Sequence, residues 1–205
     1  MHSMQKQDAP SRNGPSRKKV RLGRPRSVAT QEAILAASLR LTERVGYAQL
    51  TIEGIAAEAG VGKQTVYRWW PSKAAVVLEA FSHDARAVVK VRITGDLKAD
   101  VEKFLIAAYR RLAGPRGIVF RSLLSEALIN ADFAQHFYSE YIQSRVDDLK
   151  TVLSSDSEEA EARDVPAELI EMIYGALWYR MATNQRLTPK AARQVAAAAV
   201  RLLHK

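Results

Sequence analysis

From Ile34 onward the apolar residues of this chain return every three or four positions, and no stretch alternates strictly between apolar and polar. The first spacing buries one face of an α-helix, whereas strict alternation would mark a half-buried strand. Such a chain folds as packed helices: all-α, with about nine of them. The first carries Ile34, Ala37, Leu41 and Val45 on one stripe, capped by Ser27 or Thr30 and stopped at Gly46. Thr51 opens a second helix of barely two turns, with Ile52, Ile55, Ala56 and Ala59 buried and Gly60 at its end. Val61-Gly62 turns the chain into a third short segment, KQTVYRWW, which Pro71 breaks, and Ser72 caps a fourth helix running to about Val91. Further helices are predicted at about 97–113, 117–130, 132–153, 166–183 and 188–204. The breaks between them are GPRG at 114–117, the acidic SSDSEEAEARDVP at 154–166 and LTP at 187–189.

Composition narrows the function classes. The 205 residues are 47% apolar and 26% charged, enough for a sizeable core. With no cysteine, disulfide scaffolding, thiol catalysis and Cys-ligated zinc are excluded. The N-terminal MHSMQKQDAPSRNG lacks the apolar centre of a signal peptide, and no run approaches a membrane span. A cytoplasmic protein with no membrane partner is expected. The net charge of +9 is concentrated: in residues 1–30, eight basic side chains stand against Asp8 alone. Residues 1–26 thus read as a basic, disordered arm of the kind that meets polyanions, nucleic acid first. No HExxH, P-loop, GxSxG or dinucleotide fingerprint occurs, so no enzyme, metal or cofactor is expected. His83-Asp84 and the pair Asp132 and His136 read as surface polar residues.

The segment from Thr51 to Trp70 carries the chemistry. Two short helices joined by a tight glycine-containing turn describe a helix-turn-helix. Ala56 lets the helices approach, and Gly60 accepts a positive φ without a Cβ clash. Val66 and Trp70 face inward, leaving Lys63, Gln64, Thr65, Tyr67, Arg68 and Trp69 outward, a face of donors and aromatic edges suited to the major groove. Lys73 follows at the next helix start.

These residues, TIEGIAAEAGVGKQTVYRWWPSKAAVVLEAF, resemble the DNA-binding signature of the TetR family of bacterial transcriptional regulators. GDLKADVEKFLIAAYRRLAGPRGIVFRSLLSEA and GALWYRMATNQRLT are similar to one of the family's C-terminal domain types. The resemblance implies a helix-turn-helix domain at 27–80 and an effector-binding and dimerisation domain at 81–205. It further implies a homodimer on double-stranded DNA, most often a repressor. By position, Lys63 and Gln64 would read bases, and Thr51, Thr65, Tyr67, Trp69 and Lys73 would meet phosphates, with Arg68 in either role. The chain departs from the pattern at Gly62, where many relatives have serine, and at Glu53, where relatives carry a basic residue. Glu53 is read instead as a favourable acid in a first helical turn. Gly23-Arg24-Pro25-Arg26 resembles the core of an AT-hook, whose arginines insert into a narrow A·T-rich minor groove.

For the effector, Phe104, Tyr109, Phe120, Phe137, Tyr141 and Trp178, with Phe133 and Tyr174 beside them, offer either core packing or the wall of a pocket for a hydrophobic or aromatic molecule. Ala176, Leu177, Val195, Ala198, Ala199 and Leu202 could pair two subunits or pack inside one; the resemblance favours a dimer. An architectural DNA-binding protein without effector is the alternative function.

Overall fold

The computed structural model describes residues 27–88, 92–155 and 164–203. The basic arm, including Arg24 and Arg26, lies outside these residues. Ten α-helical segments and no strand occur among the described residues: α1 (Val28–Val45), α2 (Ile52–Glu58), α3 (Lys63–Trp69), α4 (Lys73–Val88), α5 (Leu97–Ala113), α6 (Pro115–Ile129), α7 (Ala131–Phe137), α8 (Gln143–Leu153), α9 (Ala167–Ala182) and α10 (Pro189–Leu203). A π-helical stretch, Tyr138–Ile142, joins α7 and α8 into one continuous rod.

The boundaries follow local chemistry. Asp96 and Asn130 cap α5 and α7 by accepting from Ala99 N and Phe133 N. Ser72 Oγ accepts from Ala75 N at 3.2 Å and starts α4 as its sequence position suggests. Ser27 stands at the N-cap of α1 without a side-chain bond, and Gly46 ends that helix at φ +80°. Two expectations are corrected. Val45 is exposed rather than on the buried stripe of α1, because Ile34, Leu35, Ala37, Ser38, Leu39, Leu41 and Thr42 already fill that face. The GPRG break narrows to Gly114 alone: Pro115 occupies the first turn of α6, where its missing N–H costs nothing.

One continuous apolar core runs through the described residues. α1 packs on α2, α4 and α6, and α10 lies along α5. α4 is the shared rod: it packs on α1 and also on α6, α7 and the π-helical stretch. Phe81 on α4 sits 4.9 Å from the ring of Tyr141 and 6.0 Å from that of Phe120, within the range of attractive aromatic pairs.

Asp84, also on α4, is no idle surface residue. Arg116 forks onto both its oxygens at 2.8 and 3.0 Å, and Arg111 donates to Oδ2 at 2.6 Å. Arg116 also donates to Glu43 of α1. Hydrogen bonds from Arg116, with further help from Arg111, hold the Asp84 carboxyl below the usual carboxylate range despite its burial. A second carboxylate that the apolar pattern did not reveal, Asp100, is fully buried. It accepts from Thr94 N, Thr94 Oγ1 and Gly95 N, tying the α4–α5 connection to the first turn of α5.

The corner from α5 to α6 turns in one residue, and Gly117 makes it possible. A Cβ there would stand 2.0 Å from the carbonyl oxygen of Leu112, which is backbone and cannot swing aside. Gly117→Ala is expected to lower the unfolding free energy by about 1–3 kcal/mol, the cost of overpacking. Urea unfolding measures it; an unchanged midpoint would mean the corner relaxes freely.

Candidate nucleic-acid interface and inner cavity

The third helix is held by what lies behind it. α2 starts at Thr51, whose Oγ1 accepts from Gly54 N at 3.0 Å, and ends in a Schellman turn. In that turn Val61 N donates to Ala56 O at 2.9 Å and Gly60 N to Ala57 O at 3.2 Å. The turn needs a positive φ at Gly60, which stands at +67°. α3 then begins from Gly62, which supplies no side-chain cap. Val66 is fully buried and Trp70 nearly so, and Trp70 Nε1 donates to Glu79 on α4 at 2.7 Å. These anchors fix the roll of the helix about its axis.

Lys63, Gln64, Tyr67 and Arg68 are exposed together on the opposite side. Thr65 and Trp69 are only half-exposed. Trp69 leans edge-on against Trp70 at 5.6 Å, and the Arg68 guanidinium lies 5.6 Å from the Trp69 ring. Of the two aromatics expected outward, Tyr67 is open, whereas Trp69 is partly covered. Thr51 is exposed but its oxygen is already engaged as a cap, leaving its O–H as the group free to donate. Glu53 is exposed in the first turn of α2, and Arg40 and Arg44 of α1 are paired with Glu58.

Lys73, expected to meet a phosphate, also has partners within its own chain. Its ammonium donates to Tyr47 O at 2.8 Å and Leu50 O at 3.1 Å and sits 4.5 Å from the Tyr47 ring centre. Two of its three donors therefore close the α1–α2 loop, and Thr51 follows directly from that loop.

A narrow cavity of about 40 Å³ lies among α4, α5, α6, α8 and α9. Phe104, Phe120, Tyr141 and Trp178 line it as expected, with Tyr174. Tyr109 and Phe137 do not. Phe104, Ala108, Arg111 and Leu112 form the lining stripe of α5, and Tyr109 lies about 100° round the helix from Ala108. Phe137 stacks behind Tyr141 and Phe120, both at 5.9 Å, as core. Arg111 and Arg145 also line the cavity, which an aromatic count could not reveal.

Ala176, Val195, Ala198 and Leu202 line a groove between α9 and α10, as does Ala199, itself nearly buried. Leu177 leaves the proposed interface: one position on from Ala176, it points into the inner cavity of its own chain. Exposed Met172 and Tyr179 extend the apolar face on α9. Among the described residues no helix is long and apolar enough to cross a membrane, and no three His, Cys, Asp or Glu gather as metal ligands.

Residues 34–80 match the model for bacterial regulatory proteins of the tetR family, and residues 91–199 match that for a tetracyclin repressor-like C-terminal domain. A helix-turn-helix transcriptional regulator of Bacillus subtilis, YdeS, is 31% identical over 161 residues, covering 78% of this chain and 81% of that protein. Rv1556 of Mycobacterium tuberculosis, named as a regulator of the same type, is 32% identical over 149 residues, 72% of this chain and 73% of its own length. The crystal structure of the TetR family transcription regulator SCO0332 superposes with a TM-score of 0.70 at 28% identity, covering 85% of this chain and 97% of that one.

Removing the Lys73 ammonium strands two carbonyl oxygens, so Lys73→Ala is expected to cost about 1–3 kcal/mol of stability. Thermal or urea unfolding of the variant checks this. Wild-type stability combined with a DNA-binding salt slope reduced by about 1 would instead assign the charge to a phosphate.

Proposed function

This chain belongs to the TetR family of bacterial helix-turn-helix regulators, and from that premise we propose that it is a homodimeric repressor released from its operator by a small molecule. Binding rather than catalysis is its work, carried out in the cytoplasm. The observation that carries this reading is the exposed row Lys63, Gln64, Tyr67 and Arg68 on a helix whose roll is fixed by buried Val66 and Trp70.

In the proposed complex α3 enters the major groove. Gln64 bonds an adenine edge through its amide, and Lys63 reaches guanine O6 and N7. Arg68 and Tyr67 meet phosphate or a thymine methyl, while Thr51, Thr65 and Trp69 flank the backbone. Arg24 and Arg26 of the arm would reach the adjoining minor groove. Lys73 contributes by holding the α1–α2 loop, and only its remaining N–H is left for a phosphate. The groove along α9 and α10 would meet its own copy across a two-fold axis, setting two α3 helices about 34–36 Å apart.

Release follows from the size of the cavity. Drug-sized ligands occupy pockets of about 300–1,000 Å³, far more than the 40 Å³ enclosed here. An effector must therefore push α5, α6, α8 and α9 apart. Ala85 of α4 lines the same cavity, and the Arg111–Asp84–Arg116–Glu43 chain leads from its wall to α1. A ligand that favours the spread arrangement shifts the population toward dimers whose α3 spacing no longer fits DNA.

Gln64→Ala is expected to cost about 1–3 kcal/mol at one base position of a selected operator. Binding measured against single-base operator variants tests it; a uniform loss at every variant would remove the base-reading role. Met172→Glu sets two like charges near the proposed two-fold axis, and sedimentation should show a shift to monomer with loss of tight operator binding. An unchanged dimer would move the interface elsewhere.

A further inference from the structure

We propose that the inner cavity takes a hydrophobic carboxylic acid, its carboxylate held by Arg145 and Arg111 and its apolar body among Phe104, Phe120, Tyr141 and Trp178. This rests on the effector-gated function above and specifies the chemistry of the effector.

The wall is almost wholly apolar, and its two charged lining residues are Arg111 of α5 and Arg145 of α8. Each retains a buried N–H without a partner among the described residues: Nε of Arg111 and Nη1 of Arg145. A buried donor left in this state carries its desolvation cost uncompensated, so a ligand that supplies an acceptor gains more than it would in water. Arg145 is weakly served elsewhere, whereas Arg111 is bonded to Asp84 at 2.6 Å and lies 5.4 Å from the Phe81 ring centre. Arg145 Nη2 stands 2.8 Å from Asp148 Oδ2, yet that oxygen makes no hydrogen bond of acceptable geometry. Its Nε reaches only Ser144 Oγ, at 3.4 Å. Burial pushes the Asp148 carboxyl above its ordinary range, against the pull of Arg145, which marks a poor counter-ion. Arg111 keeps one carboxylate bond, to an Asp84 that Arg116 already grips with two.

A carboxylate matches this pair of donors. It offers two oxygens in one plane and a single charge, and its bonds to guanidinium are charge-assisted. A neutral amide of the same skeleton fills the same apolar space without the charge, which makes it the proper control. The arrangement also links recognition to release: a carboxylate at Arg111 competes with Asp84, the residue that holds Arg116 and, through it, Glu43 of α1.

The test uses the full chain at neutral pH with benzoate, 4-phenylbutyrate and octanoate, each beside its own amide, titrated by calorimetry. At least one acid is expected to bind about tenfold or more tightly than its amide, the margin of a charge-assisted pair. Arg145→Gln should erase that margin, and Arg145→Lys should retain part of it. The acid–amide comparison on the wild-type chain needs no variant to fold. Equal binding of acid and amide, no binding by any of the acids, or a margin that survives Arg145→Gln would each overturn the proposal. Failure of the underlying function would show separately, as a ligand-free chain that selects no DNA duplex from a random pool.

Discussion

The charge cluster at Asp84 ties four helices, α1, α4, α5 and α6, to one another. A single carboxylate on α4 draws in Arg111 from α5 and Arg116 from α6, and Arg116 carries the connection to Glu43 on α1. Exposed ion pairs contribute about 0–1 kcal/mol, whereas breaking one in the interior costs about 3–5 kcal/mol because a charge is left stranded. These side chains are between 11% and 28% exposed, nearer the second case than the first. The geometry is also demanding: a forked guanidinium on both oxygens tolerates little sliding of α6 against α4. α5 and α6 therefore cannot move away from α4 without stretching or breaking these bonds.

The nucleic-acid face follows from constraints of a different kind. Nothing about Lys63 or Gln64 fixes where they point. Their direction is set by Val66 and Trp70 on the far side, by the left-handed turn at Gly60 and by the indole bond to Glu79. α3 has seven residues, too short to be stable alone. Its helicity and its orientation therefore come from the same buried contacts, and a change at Trp70 would affect both together.

Much of this was legible in the sequence, and for identifiable reasons. Periodicity located the helices because each buries one face, and Gly60 marked its turn because glycine takes that φ at the least cost. Lys63, Gln64, Tyr67 and Arg68 were readable as outward once Val66 and Trp70 were placed inward. What was hidden depends on contacts between residues far apart in the chain. Lys73 bonds carbonyls 23 and 26 residues away, and Asp84 meets arginines 27 and 32 residues away. A neighbouring pair such as His83-Asp84 gives no hint that one member is exposed and the other sits in an ion cluster. Tyr109 and Leu177 show a finer limit: Tyr109 lies one position from the cavity-lining Ala108 and Leu177 one from the groove-lining Ala176, and one position turns a helical side chain through about 100°.

The closed state of the cavity bears on how a regulator of this build can work. A pocket equally open in two arrangements of the helices would not distinguish them, and a ligand of equal affinity for two states shifts neither. Here the aromatic side chains nearly fill the space, while two guanidinium groups remain short of acceptors. In the proposed mechanism, opening the cavity costs packing energy, and ligand binding returns both apolar contact and charge pairing only in the opened state. On that proposal, the differential affinity would come from the opening of the site. Arg111 both lines the cavity and is bonded to the ion cluster that reaches α1, so in the proposed mechanism ligand binding and its transmission meet at one side chain.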